Sequence, residues 1–331
     1  APLRISFSGG GTDLEEYHKK YEGYSVSHTI DSYTYVISKL RNDDKLQGFS
    51  PDFASHLTPK KYSATKMLQG HEIIIVGLRY MKFKKGIDMY LSTDVEPNSG
   101  LGASSSLTTN FVNVISQLQG KKTTPDKIAI KAYKIGHDVL KWGIGKQDEY
   151  ASAFGGLNLY KFTKNKVIVK PINLKKSTAK ELQDNSLLFR LGDREHSKGI
   201  LQSQIKSINQ SNKTTILALH KAKELAIEMY DSLKENDLTK FSDILNRGWE
   251  SKRNYTKGIT NKRIEMVSKK AIENGAKALK VTEAGGGGHF FIYASPSKHR
   301  SIINSLKKLG VSNVDFKYQN QGAKVFEINN L

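Results

Sequence analysis

Residues 99–106 form a glycine- and serine-rich segment whose residue types could bind phosphate. Apolar residues at helical spacing follow between positions 111 and 118, so the segment is expected to lead into a helix. A glycine loop at a helix start presents free N–H groups and the positive end of the helix dipole to an anion. We therefore expect a polyphosphate to be bound by Gly100, Leu101, Gly102, Ala103, Ser104, Ser105 and Ser106. A serine-rich helix cap is the simpler alternative.

This loop matches neither of the two most common nucleotide-binding motifs. A Walker-type loop needs Gly-Lys-Ser or Gly-Lys-Thr after its glycines, and a dinucleotide turn needs Gly-x-Gly-x-x-Gly. The sequence has Ala103 and three serines after Gly102 instead. Both standard nucleotide-binding folds are therefore disfavoured.

A second glycine run lies at residues 9–13, which read Gly-Gly-Gly-Thr-Asp and follow a predicted strand. Three glycines in a row are costly to order unless something must approach the backbone closely. We expect Gly10, Gly11 and Thr12 to face a ligand, and Asp13 to accept hydrogen bonds from its hydroxyl groups. The alternative is a tight turn in which Asp13 caps the following helix.

A third run, Gly285 to Gly288, lies between two predicted strands. It is too short and too closely flanked by apolar residues for a flexible linker, so we expect Gly286 and Gly287 to face a ligand. Three glycine-rich turns at the start, middle and end of one chain are improbable as independent turns. We expect them to converge on one cleft.

The elements that position these turns follow from hydrophobic periodicity and turn residues. Strands are predicted at 3–8, 24–30, 33–40, 88–92, 278–282 and 289–294, and near Phe316 and Phe326. Helices are predicted after residue 106, from Thr124-Pro125, over 214–234 and 238–254, after Asn261, and over 298–309. The order helix, strand, strand, helix, strand after residue 261 is typical of a ferredoxin-like domain. A lysine-rich stretch near 175–180 separates the predicted domains, 1–178 and 179–331.

Composition excludes several kinds of site and partner. The 331 residues include no cysteine, which excludes disulfides and thiolate chemistry and suits the cytoplasm. No apolar stretch approaches the ~20 residues of a membrane span, so no membrane contact is expected. The formal charge is +20, but the lysines are spread along the chain without interleaved aromatic residues, so nucleic acid is not an expected partner. The sequence is compatible with a homodimer and does not specify the oligomeric state.

Four motifs in sequence order carry a resemblance to a known family. They are Pro-Leu-Arg-Ile at 2–5 continuing to Gly-Gly-Gly-Thr-Asp-Leu at 9–14, Pro-Asn-Ser-Gly-Leu-Gly-Ala-Ser-Ser at 97–105, Gly-Lys-Gln-Asp-Glu-Tyr at 145–150, and Thr-Glu-Ala-Gly-Gly-Gly-Gly at 282–288. Together they resemble the GHMP kinase superfamily, and two of them its bacterial D-glycero-D-manno-heptose 7-phosphate kinase branch. The resemblance spans nearly the whole chain. It implies a two-domain α+β fold, with a ribosomal S5 domain 2-like N-terminal domain and a ferredoxin-like C-terminal domain.

The resemblance also implies how ATP and Mg²⁺ would be bound. Gly100 to Ser105 match the family's ATP phosphate loop, and Ser104 matches the position whose hydroxyl binds Mg²⁺. Asp138 matches the acidic second Mg²⁺ ligand, which is usually glutamate in the family. Ala103 replaces a common serine, so one hydroxyl contact to phosphate is lost while the backbone amide remains.

Catalytic and acceptor roles follow from the same resemblance. Asp148 matches the catalytic aspartate of galactokinase-like members, Arg4 the arginine beside it, and Asp13 the aspartate that binds sugar hydroxyls. The implied reaction transfers the γ-phosphate of ATP to the anomeric hydroxyl of D-glycero-D-manno-heptose 7-phosphate, giving the 1,7-bisphosphate for nucleotide-heptose synthesis in surface polysaccharides. Asp148 would accept the hydroxyl proton, and Arg4 would hold Asp148 ionised.

The remote phosphate of a phosphorylated acceptor has a candidate site in residues 191–198. Arg194, Lys198 and the start of the next helix could bind it. A solvated, charged helix start explains these residues equally well. Three other functions stay open: a GHMP kinase for another sugar such as fucose, a non-catalytic sensor that binds ATP and sugar, and, from charge alone, a nucleic-acid-binding protein.

Overall fold

In the computed structural model, which describes residues 1–96, 99–192, 197–282 and 285–328, the first half of the chain builds a mixed sheet. Its strands are β1 (Pro2–Ser8), β2 (Gly23–Leu40), β3 (Lys45–Ser50), β4 (Ser55–Lys61), β5 (Ile87–Thr93), β6 (Leu157–Phe162) and β7 (Val167–Pro171). They lie in the order β4-β3-β5-β2-β6-β7, with β1 paired to β2. The two strands predicted over 24–40 are thus one long strand.

Helices cover one face of this sheet. They are α1 (Glu15–Tyr21), α2 (Glu72–Tyr80), α3 (Ala103–Leu118), α4 (Pro125–Tyr133) and α5 (Gln147–Phe154), with a π-helical turn over Lys134–Val139. The predicted start of α4 is confirmed, because the Thr124 side chain accepts a hydrogen bond from the Lys127 amide and Pro125 occupies the first turn. Phe111 and Ile115 of α3 pack against Ile87 in a shared core.

The second half of the chain builds an antiparallel sheet. Its strands are β8 (Ser186–Gly192), β9 (Ala278–Val281), β10 (Gly288–Tyr293) and β11 (Ser312–Val314), in the order β11-β8-β10-β9. Its helices are α6 (Lys176–Asp184), α7 (Ser197–Asn209), α8 (Lys213–Lys234), α9 (Leu238–Lys252), α10 (Lys262–Glu273) and α11 (Pro296–Lys307). With the first and third strands central, this order is ferredoxin-like, which confirms the predicted α+β fold. The boundary predicted at residue 178 falls inside α6.

A core shared by the two sheets joins the halves. The Phe7 ring of β1 lies 5.1 Å from the Phe241 ring of α9 and 5.6 Å from the Phe291 ring of β10, measured between centroids. Leu3 and Leu188 belong to the same apolar cluster. β1, which carries Arg4, is therefore held between the two halves.

The last described residues, 315–328, return to the first half as an extended strap. The Gln319 amide donates to the Thr29 carbonyl (2.9 Å), and the Ala323 amide donates to the Ser152 carbonyl of α5 (2.9 Å). The strand predicted near Phe326 is wrong, because no strand is formed around this residue in the described part of the chain and Phe326 is mostly exposed. Earlier in the strap, Tyr318 forms a single antiparallel bridge with Ile30 of β2. Every helix in the described ranges is too short or too polar to cross a lipid bilayer.

Candidate active site

Arg4 and Asp148 form a charged pair at the centre of the site. The Arg4 side chain is buried in β1, and Asp148 lies in the first turn of α5, where the helix dipole favours a carboxylate. Arg4 Nε donates to Asp148 Oδ1 (2.8 Å) and Nη2 donates to Oδ2 (2.7 Å). This two-pronged contact fixes the plane of the carboxylate. The structure thus brings together the two residues expected to be catalytic.

The glycine loop lies directly against this pair. Arg4 Nη1 donates to the Gly100 carbonyl (3.2 Å), and the Arg4 amide donates to the Leu101 carbonyl (3.2 Å). Gly102 has a φ of 79°, and a Cβ there would lie 3.1 Å from Asp148 Oδ2. The positive φ and the close approach both favour glycine at this position. The loop backbone and the Asp148 carboxylate therefore share one surface.

The start of α3 leaves N–H groups for an anion. Gly102 caps the helix without a side-chain hydrogen bond, so the first amides, from Ala103 onward, have no acceptor inside the helix. Ser104 is exposed, whereas Ser105 is buried. Ser106 differs, because its amide donates to the Gly102 carbonyl and its hydroxyl to the Ala1 and Pro2 carbonyls. Ser106 therefore fixes the helix start rather than facing outward.

Asp13 ties the first glycine run to α5. Its Oδ1 accepts from the Gly11 amide (2.9 Å) and its Oδ2 accepts from the Gln147 amide (3.0 Å). A Cβ on Gly145 would lie 1.9 Å from Asp13 Oδ2, so only glycine fits there. Gln147 also accepts a hydrogen bond from the Ser6 hydroxyl (2.9 Å). Asp13 is thus hydrogen-bonded to the residue that precedes Asp148 in the chain. This contact is expected if the first glycine run and the start of α5 converge.

Thr12, by contrast, is turned into the protein. Its hydroxyl donates toward the Gly9 and Tyr24 carbonyls (both 2.8 Å) and accepts from the Tyr24 amide (3.0 Å). The residue is completely buried. Its visible role is to hold the glycine turn, while Gly10 has open space in front of it except for Ser6 Oγ at 3.6 Å.

The third glycine run joins the same region through His289. His289 Nδ1 lies 2.6 Å from the Ser99 carbonyl, at the entrance to the phosphate loop. Gly286 donates its amide to the Ile259 carbonyl (2.9 Å), and Gly287 has a φ of 149°. Burial lowers the pKa of His289, so its neutral form is favoured. The three glycine-rich turns therefore converge.

Asp138, the expected second metal ligand, lies in the π-helical turn. Its Oδ1 is 2.8 Å from His137 Nδ1, and its side chain is about half exposed. The pKa of Lys19 is raised mainly by Glu15, and the charge of Asp138 adds to this shift. The charge of Asp138 also opposes the lowering of the pKa of Lys146 by burial. Asp138 thus belongs to a charged cluster beside the first turn of α5.

Glu149 is a second carboxylate next to the pair. It is completely buried, and neither carboxylate oxygen has a hydrogen-bond partner. Its pKa is raised to about 8, mainly by burial and also by the neighbouring charge of Asp148, while the Ser105 hydroxyl opposes the shift. Burial without a hydrogen-bond partner favours Glu149 in its protonated form, or an ionised Glu149 whose charge is compensated by a cation.

Lys280 has no role in the sequence prediction, yet it reaches the same region. It lies in β9, is buried, and donates from Nζ to the Phe7 carbonyl (3.0 Å). Its pKa is lowered to about 7, mainly by burial and in part by the charge of Arg4. A lysine inside the apolar run Ala-Leu-Lys-Val was the available signal, because such a residue is rarely buried without a specific partner.

Part of the expected site lies outside the described residues. The structure does not describe Arg194, nor Pro97, Asn98, Glu283 and Ala284. The side chain of Lys198 is not described either. Within the described ranges, histidine, aspartate and glutamate residues do not form a group of three or more that could hold a metal ion. Ser104, Asp138 and Glu149 carry side-chain oxygen atoms of the kind that bind Mg²⁺.

Two family models match the chain in order. The GHMP kinases N terminal domain matches residues 69–156, and the GHMP kinases C terminal domain matches residues 229–312. The first match includes the phosphate loop and Asp148, and the second includes Lys280 and the third glycine run.

Relatives of known activity and solved structures agree. A D-glycero-alpha-D-manno-heptose 7-phosphate kinase of Campylobacter jejuni is 32% identical over 99% of this chain and 98% of its own. A galactokinase of Pyrococcus furiosus is 24% identical over 92% and 91%. The structure of a D-glycero-D-manno-heptose 1-phosphate kinase from Bacteroides thetaiotaomicron superposes with a TM-score of 0.82 at 25% identity, covering 100% of this chain and 98% of that one. With family models matched in both halves and a relative this similar along its whole length, this chain belongs to the GHMP kinases.

Proposed function

We propose that this kinase transfers the γ-phosphate of ATP to the anomeric hydroxyl of D-glycero-D-manno-heptose 7-phosphate and releases the 1,7-bisphosphate. The observation that carries the proposal is the pair of buried Arg4 and partly exposed Asp148, held against Gly100 and Gly102 at the start of α3. The choice of acceptor is supported by the C. jejuni heptose 7-phosphate kinase, to which the chain is similar throughout.

ATP is proposed to place its phosphates at the start of α3. The amides of Ala103, Ser104 and Ser105 lack helical acceptors, and the loop glycines let phosphate oxygens approach the backbone. The Ser104 hydroxyl is exposed at the same end of the helix. Fixed donors of this kind stabilise charge without reorganising during the reaction.

Asp148 is proposed to accept the proton of the acceptor hydroxyl. Its side chain is partly exposed while its partner Arg4 is buried, so the carboxylate faces the surface from which an acceptor would approach. Arg4 opposes protonation of Asp148 because the guanidinium stabilises the ionised carboxylate. Phosphoryl transfer needs positioning and charge compensation more than covalent help, and this pair supplies both.

Mg²⁺ would, when bound, neutralise charge on the phosphates. Ser104 and Asp138 are the proposed ligands, and both offer the hard oxygen atoms that Mg²⁺ prefers. Glu149 is the competing carboxylate, because it lies unpartnered beside Ser105, whereas Asp138 already faces His137.

Metal titrations of activity separate the two carboxylates. Asp138→Ala should raise the Mg²⁺ concentration needed for half-maximal rate, and Ser104→Ala should do the same, because each removes one oxygen ligand. A normal titration in Asp138→Ala together with a shifted one in Glu149→Gln would transfer the assignment to Glu149. A metal-independent rate in the wild-type protein would remove Mg²⁺ from the proposal.

The acceptor is proposed to contact the first and third glycine runs. Gly10, Gly11 and Asp13 lie beside the start of α5, and Gly286 and Gly287 adjoin β10. Thr12 contributes by holding the turn. Arg194, named from the sequence for the remote phosphate, stays a prediction. The use of ATP and the cysteine-free sequence are consistent with a cytoplasmic enzyme.

A panel of acceptors assayed for ADP release tests the function. Heptose 7-phosphate should give the highest kcat/KM, ahead of unphosphorylated heptose, mannose and fucose. Equal or better turnover of an unphosphorylated sugar would contradict the acceptor and leave the kinase family untouched. ATP and sugar binding without ADP release from any acceptor would favour the non-catalytic sensor.

A further inference from the structure

Gln147 connects two carboxylates of the site. It is the first residue of α5, and its side chain is buried. Its backbone amide donates to Asp13 Oδ2 (3.0 Å), and its side-chain Nε2 donates to Asp148 Oδ1 (3.3 Å). One residue therefore joins the carboxylate proposed to contact the acceptor to the carboxylate proposed to accept its proton.

The contact between the side chains of Gln147 and Asp148 is not an ordinary helix contact. Adjacent residues of an α-helix point in different directions, so their side chains do not normally face each other. Ser6 of β1 holds the Gln147 side chain here, because the Ser6 hydroxyl donates to Gln147 Oε1 (2.9 Å). Ser6 is itself buried. The Gln147 amide is thus held toward Asp148 by a strand residue 141 positions away in the chain.

The charge of Asp148 determines which way the Gln147 amide is turned. An ionised carboxylate can only accept hydrogen bonds, so the Gln147 atom that faces it is the Nε2 donor. Oε1 then accepts from Ser6, whose hydroxyl can donate. A hydrogen bond to a charged acceptor is stronger than one to a neutral acceptor, so Gln147 favours the ionised form of Asp148, as Arg4 does.

The two carboxylate oxygens of Asp148 have different surroundings. Oδ1 accepts from Arg4 Nε (2.8 Å) and from Gln147 Nε2 (3.3 Å). Oδ2 accepts from Arg4 Nη2 (2.7 Å) and is the oxygen nearer the phosphate loop, since a Cβ on Gly102 would lie 3.1 Å from it. Each donor to a carboxylate oxygen opposes protonation of that oxygen. Oδ2 is therefore the atom placed to meet an acceptor hydroxyl beside the phosphates.

We propose that Gln147 is a positioning residue for Asp148: its amide, oriented by Ser6, holds Oδ1 and keeps Oδ2 turned toward the phosphate loop as the atom that accepts the proton. In this step the O–H bond of the acceptor hydroxyl breaks and its proton moves to Oδ2. The acceptor oxygen keeps the electron pair and forms a bond to the γ-phosphorus. The bond from the γ-phosphorus to the bridging oxygen of ATP breaks, and its electron pair leaves with ADP. The inference rests on the proposed function and applies to any acceptor hydroxyl.

Rates of ADP release measured against pH test the positioning role. Gln147→Met keeps the length of the side chain and removes both of its hydrogen-bonding groups. We expect kcat to fall by about 10–100-fold, the factor that corresponds to a hydrogen bond to a charged group. The acidic limb of the pH profile should move to higher pH, because Asp148 loses a donor that favours its ionised form. KM for ATP and for the acceptor should change little, since the Arg4–Gly100 contact and the Gln147 backbone amide are retained.

Gln119→Met is the matched control. Gln119 lies at the end of α3 opposite the phosphate loop, and its side-chain amide donates to the Met81 carbonyl (2.9 Å) and accepts from Lys121 Nζ (2.8 Å). This variant should keep the wild-type kcat and pH profile. A Gln147→Met protein with the wild-type kcat and pH profile, measured well below its Tm, would overturn the proposal even if the protein is less stable, because Gln147 would then only hold α5 in place.

Gln147→Glu covers the case in which Gln147→Met does not fold. The new side chain has the same shape and can still accept from Ser6, but it places a second carboxylate against Asp148. Two carboxylates this close share a proton, so the acidic limb should move to higher pH by about one unit or more. An acidic limb at the wild-type position would contradict the contact between Gln147 and Asp148.

Ser6→Ala tests the chain of hydrogen bonds. The double variant Ser6→Ala/Gln147→Met should have a kcat no lower than that of Gln147→Met alone, because Ser6 acts through Gln147. Effects that multiply in the double variant would show that Ser6 acts separately, and would overturn its part in the proposal.

An NMR titration separates a failure of this inference from a failure of the proposed function. In protein with isotopically labelled aspartate carboxyl groups, the Asp148 signal is identified by its loss in Asp148→Asn. It should titrate at higher pH in Gln147→Met than in the wild type, whether or not any acceptor is turned over. An unchanged titration would overturn the role of Gln147. A shifted titration together with full activity of Asp148→Asn would instead remove Asp148 from the proposed reaction.

Discussion

Single residues set the chemistry of the site through charges held in buried positions. The planar guanidinium of Arg4 donates two hydrogen bonds to Asp148 and a third to the Gly100 carbonyl. Lysine could not reproduce these directed contacts. Glu149 and Lys280 are buried nearby with pKa values moved toward the neutral form, so the region's net charge depends on pH.

Asp148→Asn tests the proton acceptor. We expect kcat to fall by about 10²–10⁴-fold with ATP binding little changed, because an amide cannot accept the proton. Thermal stability should also fall, since Arg4 loses its counter-ion, so rates are compared well below the Tm of the variant. Asp184→Asn, at the exposed end of α6, is the control and should keep full activity. Normal turnover in Asp148→Asn would remove Asp148 from the mechanism.

Glu149→Gln tests the buried acid through stability. The pKa of Glu149 is raised from 4.5 to about 8, so the folded chain keeps a proton that the unfolded chain releases. Folding stability of the wild type therefore falls as pH rises between these values. Without metal or nucleotide, the Tm of Glu149→Gln should exceed that of the wild type by a margin that grows across this window. The corresponding difference in the free energy of unfolding should reach at least the ~1.4 kcal/mol of one pKa unit. A margin independent of pH would show that Glu149 is ionised in the folded protein.

The helices and strands determine where these residues meet. The helix α5 is held by hydrogen bonds near both of its ends. Asp13 accepts from the Gln147 amide at its start, and the strap donates from Ala323 to the Ser152 carbonyl near its end. His289 and Lys280 reach from the second sheet to the phosphate loop and to β1. The helix α5, which carries Asp148, is thus fixed by segments from both halves of the chain.

Gly322→Ala tests the strap. A Cβ at this position would lie 2.2 Å from the Ala153 carbonyl oxygen, so the strap must shift away from α5. We expect a loss of about 1–3 kcal/mol, as for other overpacked sites, seen in thermal unfolding, together with a lower kcat because Asp148 begins the same helix. The control is Gly199→Ala in α7, where a Cβ meets nothing within 4 Å and should stabilise the helix slightly. A Gly322→Ala protein as stable and active as the wild type would show that the strap does not position α5.

At the scale of the whole molecule, two sheets and their helices share one central core and carry a large positive charge. The cluster that contains Leu3, Ile5 and Phe7 of β1 also contains residues of the second sheet and of α9, so the two halves are joined around β1. The net charge of +20 surrounds a site proposed to bind anionic substrates. Such a field raises the local concentration of anions.

Salt dependence of KM tests the role of this charge. Raising ionic strength from about 0.1 M to about 1 M shortens the Debye length from ~10 Å to ~3 Å. KM for ATP and for heptose 7-phosphate should rise, while KM for the unphosphorylated heptose should change much less. Equal changes in KM for phosphorylated and unphosphorylated acceptors would show that the positive charges are only solvated surface groups and do not attract the substrate.

Local features were determined by the sequence itself. The caps at Thr124 and Asn261, the glycine turns and the strand and helix order of the second half depend on residues a few positions apart, so they could be predicted. The motif order also gave the family. The failures are local too: the predicted strand near Phe326 has the composition of a strand, but the chain there finds no strand to pair with in the described structure.

Contacts and burial were decided only by the tertiary structure. Arg4 and Asp148 are 144 positions apart, and their pairing was named from family resemblance rather than from spacing. Nothing near Glu149 in the sequence shows that it is buried, because burial depends on how α5 packs against elements from distant parts of the chain. The apolar run around Lys280 indicates a buried strand, but only the structure shows its partner, the Phe7 carbonyl.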